Sequence, residues 1–254
     1  EAKRKIAALL SDFNPDIVHL QSIHYHITTS IIPEIKKRNI PIIWTQHNLF
    51  LMCSNYMFHN DDICEKCKIT KYYSPLITRC KKDSLLASIL SASQMTFDRL
   101  SGVYNQVDMF IAISDFFKKK MIEYGFPSYR IRKIPNFVDI DASGYKLHVR
   151  NDLEYDEYIL YYGRLSSEKG LKVLLKSMRS IRDINLVIVG DGPQRNELEM
   201  YKDEYSLSNV KILDAKYGDE LHSIIHGSKF TVVPSILYEN FPRTILESFF
   251  FSKT

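Results

Sequence analysis

The stretch Tyr158-Ile159-Leu160-Tyr161-Tyr162-Gly163-Arg164-Leu165-Ser166-Ser167-Glu168-Lys169-Gly170 decides the fold. Its first five residues are apolar and read as a buried strand. A polar loop follows, and a helical pattern then runs from about Glu168 to Ile181. The alternation repeats downstream. Asn185-Leu186-Val187-Ile188-Val189 is a second strand, and a helix starts from about Pro193. Val210-Lys211-Ile212-Leu213 is a third, residues 218–227 are helical, and Phe230-Thr231-Val232-Val233 is a fourth strand before a last helix near Pro242. Short apolar strands alternating with helices argue for a parallel sheet covered on both faces. In such sheets ligands bind at the carboxyl ends of the strands.

The same rhythm extends upstream. Asp16-Ile17-Val18-His19-Leu20 and Pro41-Ile42-Ile43-Trp44-Thr45 read as strands on either side of a helical stretch marked by Ile27, Ile31, Ile32 and Ile35. Residues 84–107 carry a long helical pattern. Asp108-Met109-Phe110-Ile111-Ala112-Ile113 is a strand, Ser114 is placed to cap the next helix, and Ile131 to Pro135 is a further short strand. Periodicity is lost over residues 138–156, the candidate linker between two domains.

The 254 residues are 45% hydrophobic and 25% charged, which is ordinary for a globular protein and excludes a disordered chain. No run of about 18 apolar residues suits a membrane span. The net charge of +4 is unevenly divided. Residues 1–150 carry 21 Lys and Arg against 14 Asp and Glu, and the remainder 13 against 16. A basic half suits an anionic partner, or is a solvated surface. Lys118, Lys119 and Lys120 after Phe116 and Phe117 form a patch that could touch a membrane interface. All four cysteines, Cys53, Cys64, Cys67 and Cys80, lie in one segment with a C-x2-C pair at its centre. That count suits a tetrahedral structural zinc site; four free thiols and two disulfides are the alternatives. A zinc ribbon that binds nucleic acid would leave the strand-end loops of the second half unexplained, so nucleic acid is not an expected partner.

Three of those loops carry unusual residues. Arg164 and Lys169 place two cations after the first strand of the second half, where they could hold a diphosphate. Gly190-Asp191-Gly192-Pro193 allows close backbone approach, as would a plain tight turn. Pro234-Ser235-Ile236-Leu237-Tyr238-Glu239-Asn240-Phe241-Pro242-Arg243-Thr244-Ile245-Leu246-Glu247 places two carboxylates, Glu239 and Glu247, about a helix N-terminus whose N–H groups suit phosphate.

In this order, the three motifs resemble the retaining glycosyltransferases of family 4, which have the GT-B fold of two Rossmann-like, doubly wound parallel-sheet domains facing a cleft. Ile134-Pro135-Asn136-Phe137-Val138-Asp139 resembles the family's segment before the linker, with Phe137 where Gly is more usual. Trp44-Thr45-Gln46-His47 resembles its strand ending in an acceptor-side histidine. The resemblance implies an acceptor-side domain over 1–143, with a cysteine-containing insertion at 51–82, and a donor-binding domain over 144–254. It also implies that both are incomplete. The first starts at about its third or fourth strand, the second ends inside or just after the helix of Glu247, and the whole protein is expected to be roughly 350–400 residues long.

By the same resemblance, Arg164 and Lys169 neutralise the leaving diphosphate of a UDP- or GDP-sugar, and no catalytic metal is needed. Glu239 contacts donor sugar hydroxyls, Glu247 the ribose, and His47 the acceptor or the donor sugar. Gly163, Gly190, Asp191, Asn240, Phe241, Pro242, Arg243 and Thr244 complete the donor site, with Lys211 and Ile212 near the base. The expected enzyme is a cytoplasmic or peripheral hexosyl- or other glycosyltransferase of bacterial capsule, exopolysaccharide or lipopolysaccharide synthesis, with a glycan or lipid-linked acceptor. An inactive or truncated nucleotide-sugar binder is the alternative.

Overall fold

The computed structural model describes residues 1–24, 27–60, 62–69, 71–81, 83–138, 155 and 157–254. The chain forms two compact units, Glu1–Pro135 and Asn136–Thr254. The expected boundary at 143/144 and nearly all of the linker over 138–156 lie outside the described residues, as does Asp139.

The first unit opens with α1 (Ala2–Phe13), a helix not among the expected elements although Ile6, Leu9, Leu10 and Phe13 recur at helical spacing. It continues through β1 (Val18–Gln21), α2 (Ile31–Lys36) and β2 (Ile42–Gln46). The cysteine segment holds a two-residue hairpin, β3 (His59–Asn60) and β4 (Asp62–Ile63), and the short α3 (Ser74–Thr78). α4 (Leu85–Leu100), β5 (Met109–Ala112), α5 (Asp115–Glu123) and β6 (Ile131–Lys133) complete it. The four long strands pair in parallel in the order β1-β2-β5-β6. Ser114 caps α5 as expected, its hydroxyl accepting from the Phe117 amide at 3.1 Å. Trp44 is buried between Tyr104 and Phe110, and Phe126 meets Phe110 edge-on.

The second unit contains β7 (Ile159–Tyr162), α6 (Leu171–Met178), β8 (Leu186–Val189), α7 (Arg195–Glu204), β9 (Val210–Leu213), α8 (Gly218–Gly227) and α9 (Arg243–Phe250). β7, β8 and β9 are parallel neighbours in that order. β7 and β8 are buried on both faces, as continuous apolar runs require. The fourth expected strand is reduced to one parallel bridge, Thr231 to Leu160, on the free side of β7. Pro234 has no N–H with which to continue the ladder. The chain therefore runs outward from β7 to β9 and then returns to the other side of β7. This reversal of strand order is where an open α/β sheet opens a crevice at its carboxyl edge.

Candidate functional site

Two adjoining cavities lie at that edge. The first, of about 310 Å³, is lined by Gly163, Arg164, Lys169, Ser235, Glu239, Pro242, Arg243 and Thr244, together with Tyr161, Tyr162 and residues 231–233. The second, of about 300 Å³, is lined by Tyr162, Gly163, Arg164, Gly190, Asp191 and the loop Ala215-Lys216-Tyr217. Both volumes fall at the lower end of the range for small-molecule sites. Tyr162, Gly163 and Arg164 line both.

Local chemistry explains the arrangement. After β7 the chain turns through Gly163, and the Gly163 amide donates to Val189 O at 3.0 Å. The Leu165 amide donates to Asp191 O at 2.9 Å, so the loops after β7 and β8 are tied by backbone. A single 3-10 turn, Ser167–Lys169, precedes α6 and lifts Lys169 to the cavity wall. Lys169 Nζ donates to Glu239 Oε1 at 2.5 Å, and Ser235 Oγ donates to the same oxygen at 2.5 Å. Among the described residues Arg164 makes no close ion pair, although its charge helps hold the Glu168 carboxyl below its ordinary range. The N-terminus of α9 lies across this cavity, with Pro242 at the cap. Its unpaired N–H groups and dipole favour an anion there.

Glu247 lines neither cavity. Its side chain is 17% exposed and lies 3.6 Å from Arg243. It also faces Tyr162, whose phenol donates to Thr244 O at 2.5 Å. Burial, with the Glu247 charge adding to it, pushes that phenol well above its ordinary range, so Tyr162 stays a neutral donor. Ser248, which is buried, donates to Thr244 O and receives from Thr231. This network fixes the first turn of α9 to β7.

Not every expected residue is brought in. Lys211 and Ile212 lie within β9 and line a separate depression with Tyr155 and Ser208. The position near the cavity belongs to Ala215, Lys216 and Tyr217, past the strand end. Asn240 and Phe241 are in the connecting loop, outside both linings, and Phe241 O accepts from Asn136 Nδ2 at 3.5 Å. Tyr162, Ser235 and Tyr217 were missed by the sequence reading. Tyr162 and Ser235 stand within the strand and loop motifs it used, which is the signal that could have found them.

His47 follows β2, and its Nε2 donates to Gln21 Oε1 at 2.6 Å. His19 contacts Thr45 Oγ1 at 2.7 Å, and Asn48 Nδ2 donates to His24 Nε2 at 2.8 Å. Burial, and then the charge of Lys81, lowers the pKa of His24; burial, and then His19, lowers that of His47. Both rings are neutral in the fold. An unfolded histidine takes up its proton around pH 6.5, so the unfolded state binds more protons below that value. Stability is therefore complete above pH 6.5 and is lost as pH falls toward the lowered folded values. Thermal unfolding between pH 7.5 and 5 should show this fall, and His24→Gln with His47→Gln should flatten it; an unchanged slope would contradict the assignment.

In the lysine patch on α5, Lys119 is exposed and Lys118 half-buried, while Lys120 is drawn into ion pairs. Phe117 is fully buried, and Lys120 pairs with Glu65 at 2.6 Å and Glu123 at 3.2 Å. The zinc expectation also meets no support. All four cysteines are free thiols, and among the described residues no group of three or more His, Cys, Asp or Glu side chains is arranged to hold a metal ion. Burial pushes the Cys53 thiol up to about 12 and that of Cys67 to about 11. They pack as small neutral side chains, the free-thiol alternative. Among the described residues no helix is long and apolar enough to cross a membrane.

The family model described as Glycosyltransferase Family 4 matches residues 1–142, more than half of the chain. The chain belongs to glycosyltransferase family 4. The model described as Glycosyl transferases group 1 matches residues 147–253, which include every residue of both cavities. A lipopolysaccharide 1,2-N-acetylglucosaminetransferase of Salmonella typhimurium is 28% identical over 165 residues, 56% of this chain and 42% of that protein. Among solved structures, Anabaena HepE in complex with UDP aligns at TM-score 0.64 and 16% identity, over 99% of this chain and 61% of that one. The apo form of the lipopolysaccharide outer core galactosyltransferase WaaB aligns at 0.61 and 17%, over 99% and 58%. The two parallel sheets are those of GT-B glycosyltransferases. The chain spans less than two thirds of each of these proteins.

Proposed function

We infer that this chain carries the donor site of a retaining glycosyltransferase that moves a sugar from a UDP- or GDP-sugar to a glycan or lipid-linked acceptor. One observation carries the reading. Arg164, Lys169 and the N-terminus of α9 converge on one cavity with Glu239, at the point where the strand order of the sheet reverses.

The chemistry such a site performs is charge management. The bond between the sugar's anomeric carbon and the diphosphate oxygen breaks, and the diphosphate leaves with the electron pair. Arg164, Lys169 and the α9 amides stabilise that charge where it develops. The acceptor hydroxyl attacks from the face the diphosphate leaves and passes its proton to the departing diphosphate oxygen, so the configuration is kept. Glu239 accepts hydrogen bonds from sugar hydroxyls, and Glu247 orients the ribose. The exposed ring of Tyr217 offers the nucleobase a stacking face in the second cavity. His47, at the end of a first-unit strand, serves the acceptor or the sugar. In this reading the acceptor-side domain is 1–143 and the donor domain 144–254. The work is surface-polysaccharide synthesis on the cytoplasmic side, with peripheral membrane contact. HepE was solved with UDP and with UDP-glucose, which favours a uridine donor.

A thermal-shift screen of UDP-, GDP- and ADP-sugars tests this. One nucleotide series at a hundred times its Kd should stabilise the protein by about 2.7 kcal/mol. No shift with any of the three would remove the donor-site reading.

A further inference from the structure

Among the described residues the Glu239 carboxylate has two hydrogen-bond donors of different kinds. Lys169 offers a mobile ammonium and Ser235 a hydroxyl, and both donate to Oε1 at 2.5 Å. The Lys169 and Glu239 side chains keep 29% and 25% exposure, so their pair meets the open cavity and can exchange. Ser235 cannot withdraw in the same way. On one side of it, Pro234 O approaches Gly170 so closely that a Cβ there would lie 2.0 Å away. On the other, the Ile236 amide donates to Glu168 O at 3.0 Å. The backbone on both sides of Ser235 is thus strapped to the turn that carries Lys169.

We propose that Ser235 is a positioning residue that holds the Glu239 carboxylate in place while Lys169 changes partner from Glu239 to the donor diphosphate. This rests on the donor-site reading above. A diphosphate offers Lys169 more negative charge than one carboxylate does, so the ammonium is drawn to it. Glu239 then loses the stronger of its two anchors at the moment it must accept from sugar hydroxyls. Ser235 is the anchor that does not move. It fixes the direction of the remaining lone pairs of Glu239, and hence which sugar hydroxyls they reach. The donor-free ion pair also means that Glu239 competes with a nucleoside diphosphate for Lys169.

The experiment uses the whole protein and two readouts: binding of UDP, GDP and ADP by calorimetry, and nucleoside diphosphate release from the donor sugar chosen by the screen. Ser235→Ala should leave nucleoside diphosphate affinity within about twofold and lower kcat/KM for the donor sugar about tenfold, the usual loss of one hydrogen bond to a charged group. Ser235→Thr, which keeps the hydroxyl, should recover to within about threefold of the parent. Glu239→Gln should bind the nucleoside diphosphate several-fold more tightly, because Lys169 has lost its competitor, while losing turnover. Parent-like kcat/KM in Ser235→Ala, or a Ser235→Thr variant as impaired as Ser235→Ala, overturns the proposal. Weaker nucleoside diphosphate binding in Glu239→Gln overturns the exchange of Lys169. A parent protein that binds none of the three nucleotides removes the donor-site reading itself, a distinct result.

Discussion

Replacing Lys169 by alanine is expected to lower donor turnover about a hundredfold or more while barely moving the thermal midpoint. The two halves of this expectation have different physical origins. Loss of one preorganised donor aimed at developing negative charge costs about 10²–10³ in rate in comparable sites. The ion pair with Glu239 is partly exposed, and such pairs contribute roughly 0–1 kcal/mol to stability once screening is counted. The Ser235 hydrogen bond remains to satisfy Glu239. Lys172→Ala is the control, because its partner Glu197 lies on α7 and neither residue lines the donor cavity. It should change turnover less than twofold. Turnover or donor hydrolysis near the parent level in Lys169→Ala would remove that lysine from the diphosphate site. A large fall in midpoint would instead assign it a folding role.

How far the site could be read beforehand depends on which interactions are local. The apolar runs of β7, β8 and β9 announce themselves, and the strand-end rule then brings Arg164, Lys169 and Glu239 to one edge. That step needs only chain direction and the alternation of elements. Lys211 and Ile212 fail by the same logic. They belong to the body of β9, and the residues that reach the cavity are those a few positions past the strand end, 215–217. Ser235 and Tyr162 act through partners 4 to 86 residues away in the chain. The contacts of Tyr162 depend on how α9 is laid against β7, which no spacing pattern encodes; that of Ser235 lies within one loop, whose irregular backbone decides that the hydroxyl meets Glu239.

The cysteine segment shows the same limit in sharper form. Four thiols at suggestive spacing satisfy the arithmetic of a zinc site, and they are near one another in the fold, since Cys67 and Cys80 add to the upward push on the Cys53 thiol and Cys80 and Cys64 to that on Cys67. Even so, among the described residues no group of three is arranged to hold a metal ion. Cys53 and Cys67 are turned into the interior of the loop, with the Cys53 thiol donating to Asn55 Oδ1 at 2.9 Å. Likewise, the three lysines of α5 look like a patch in one dimension. The helix turns Lys120 toward Glu65, and the acid removes it from the surface field. Counting charges in sequence misses a partner 55 residues upstream.

Gly190→Ala should rank among the most damaging single methyl groups in the second unit. Its Cβ would lie 1.9 Å from Gly163 O and 3.0 Å from Gly163 C, both backbone atoms of the neighbouring strand-end loop. Backbone cannot rotate aside as a flexible side chain can. The two loops have to part, and the bonds that hold them, Gly163 N to Val189 O and Leu165 N to Asp191 O, have to lengthen. Overpacking of this kind costs about 3 kcal/mol, which for a unit of this size is a midpoint fall of roughly 10 °C. Gly163, Arg164 and Asp191 line the cavities on these same loops, so nucleotide binding should fall with stability. Gly125→Ala supplies the comparison. Its φ of 85° costs about 1–2 kcal/mol for any residue with a Cβ, but nothing lies within 4 Å of the added methyl. That variant should lose a few degrees and keep its nucleotide affinity. If Gly190→Ala proves no worse than Gly125→Ala in midpoint, or unfolds earlier yet binds nucleotide with undiminished affinity, the close approach of the two loops is not what shapes the donor site.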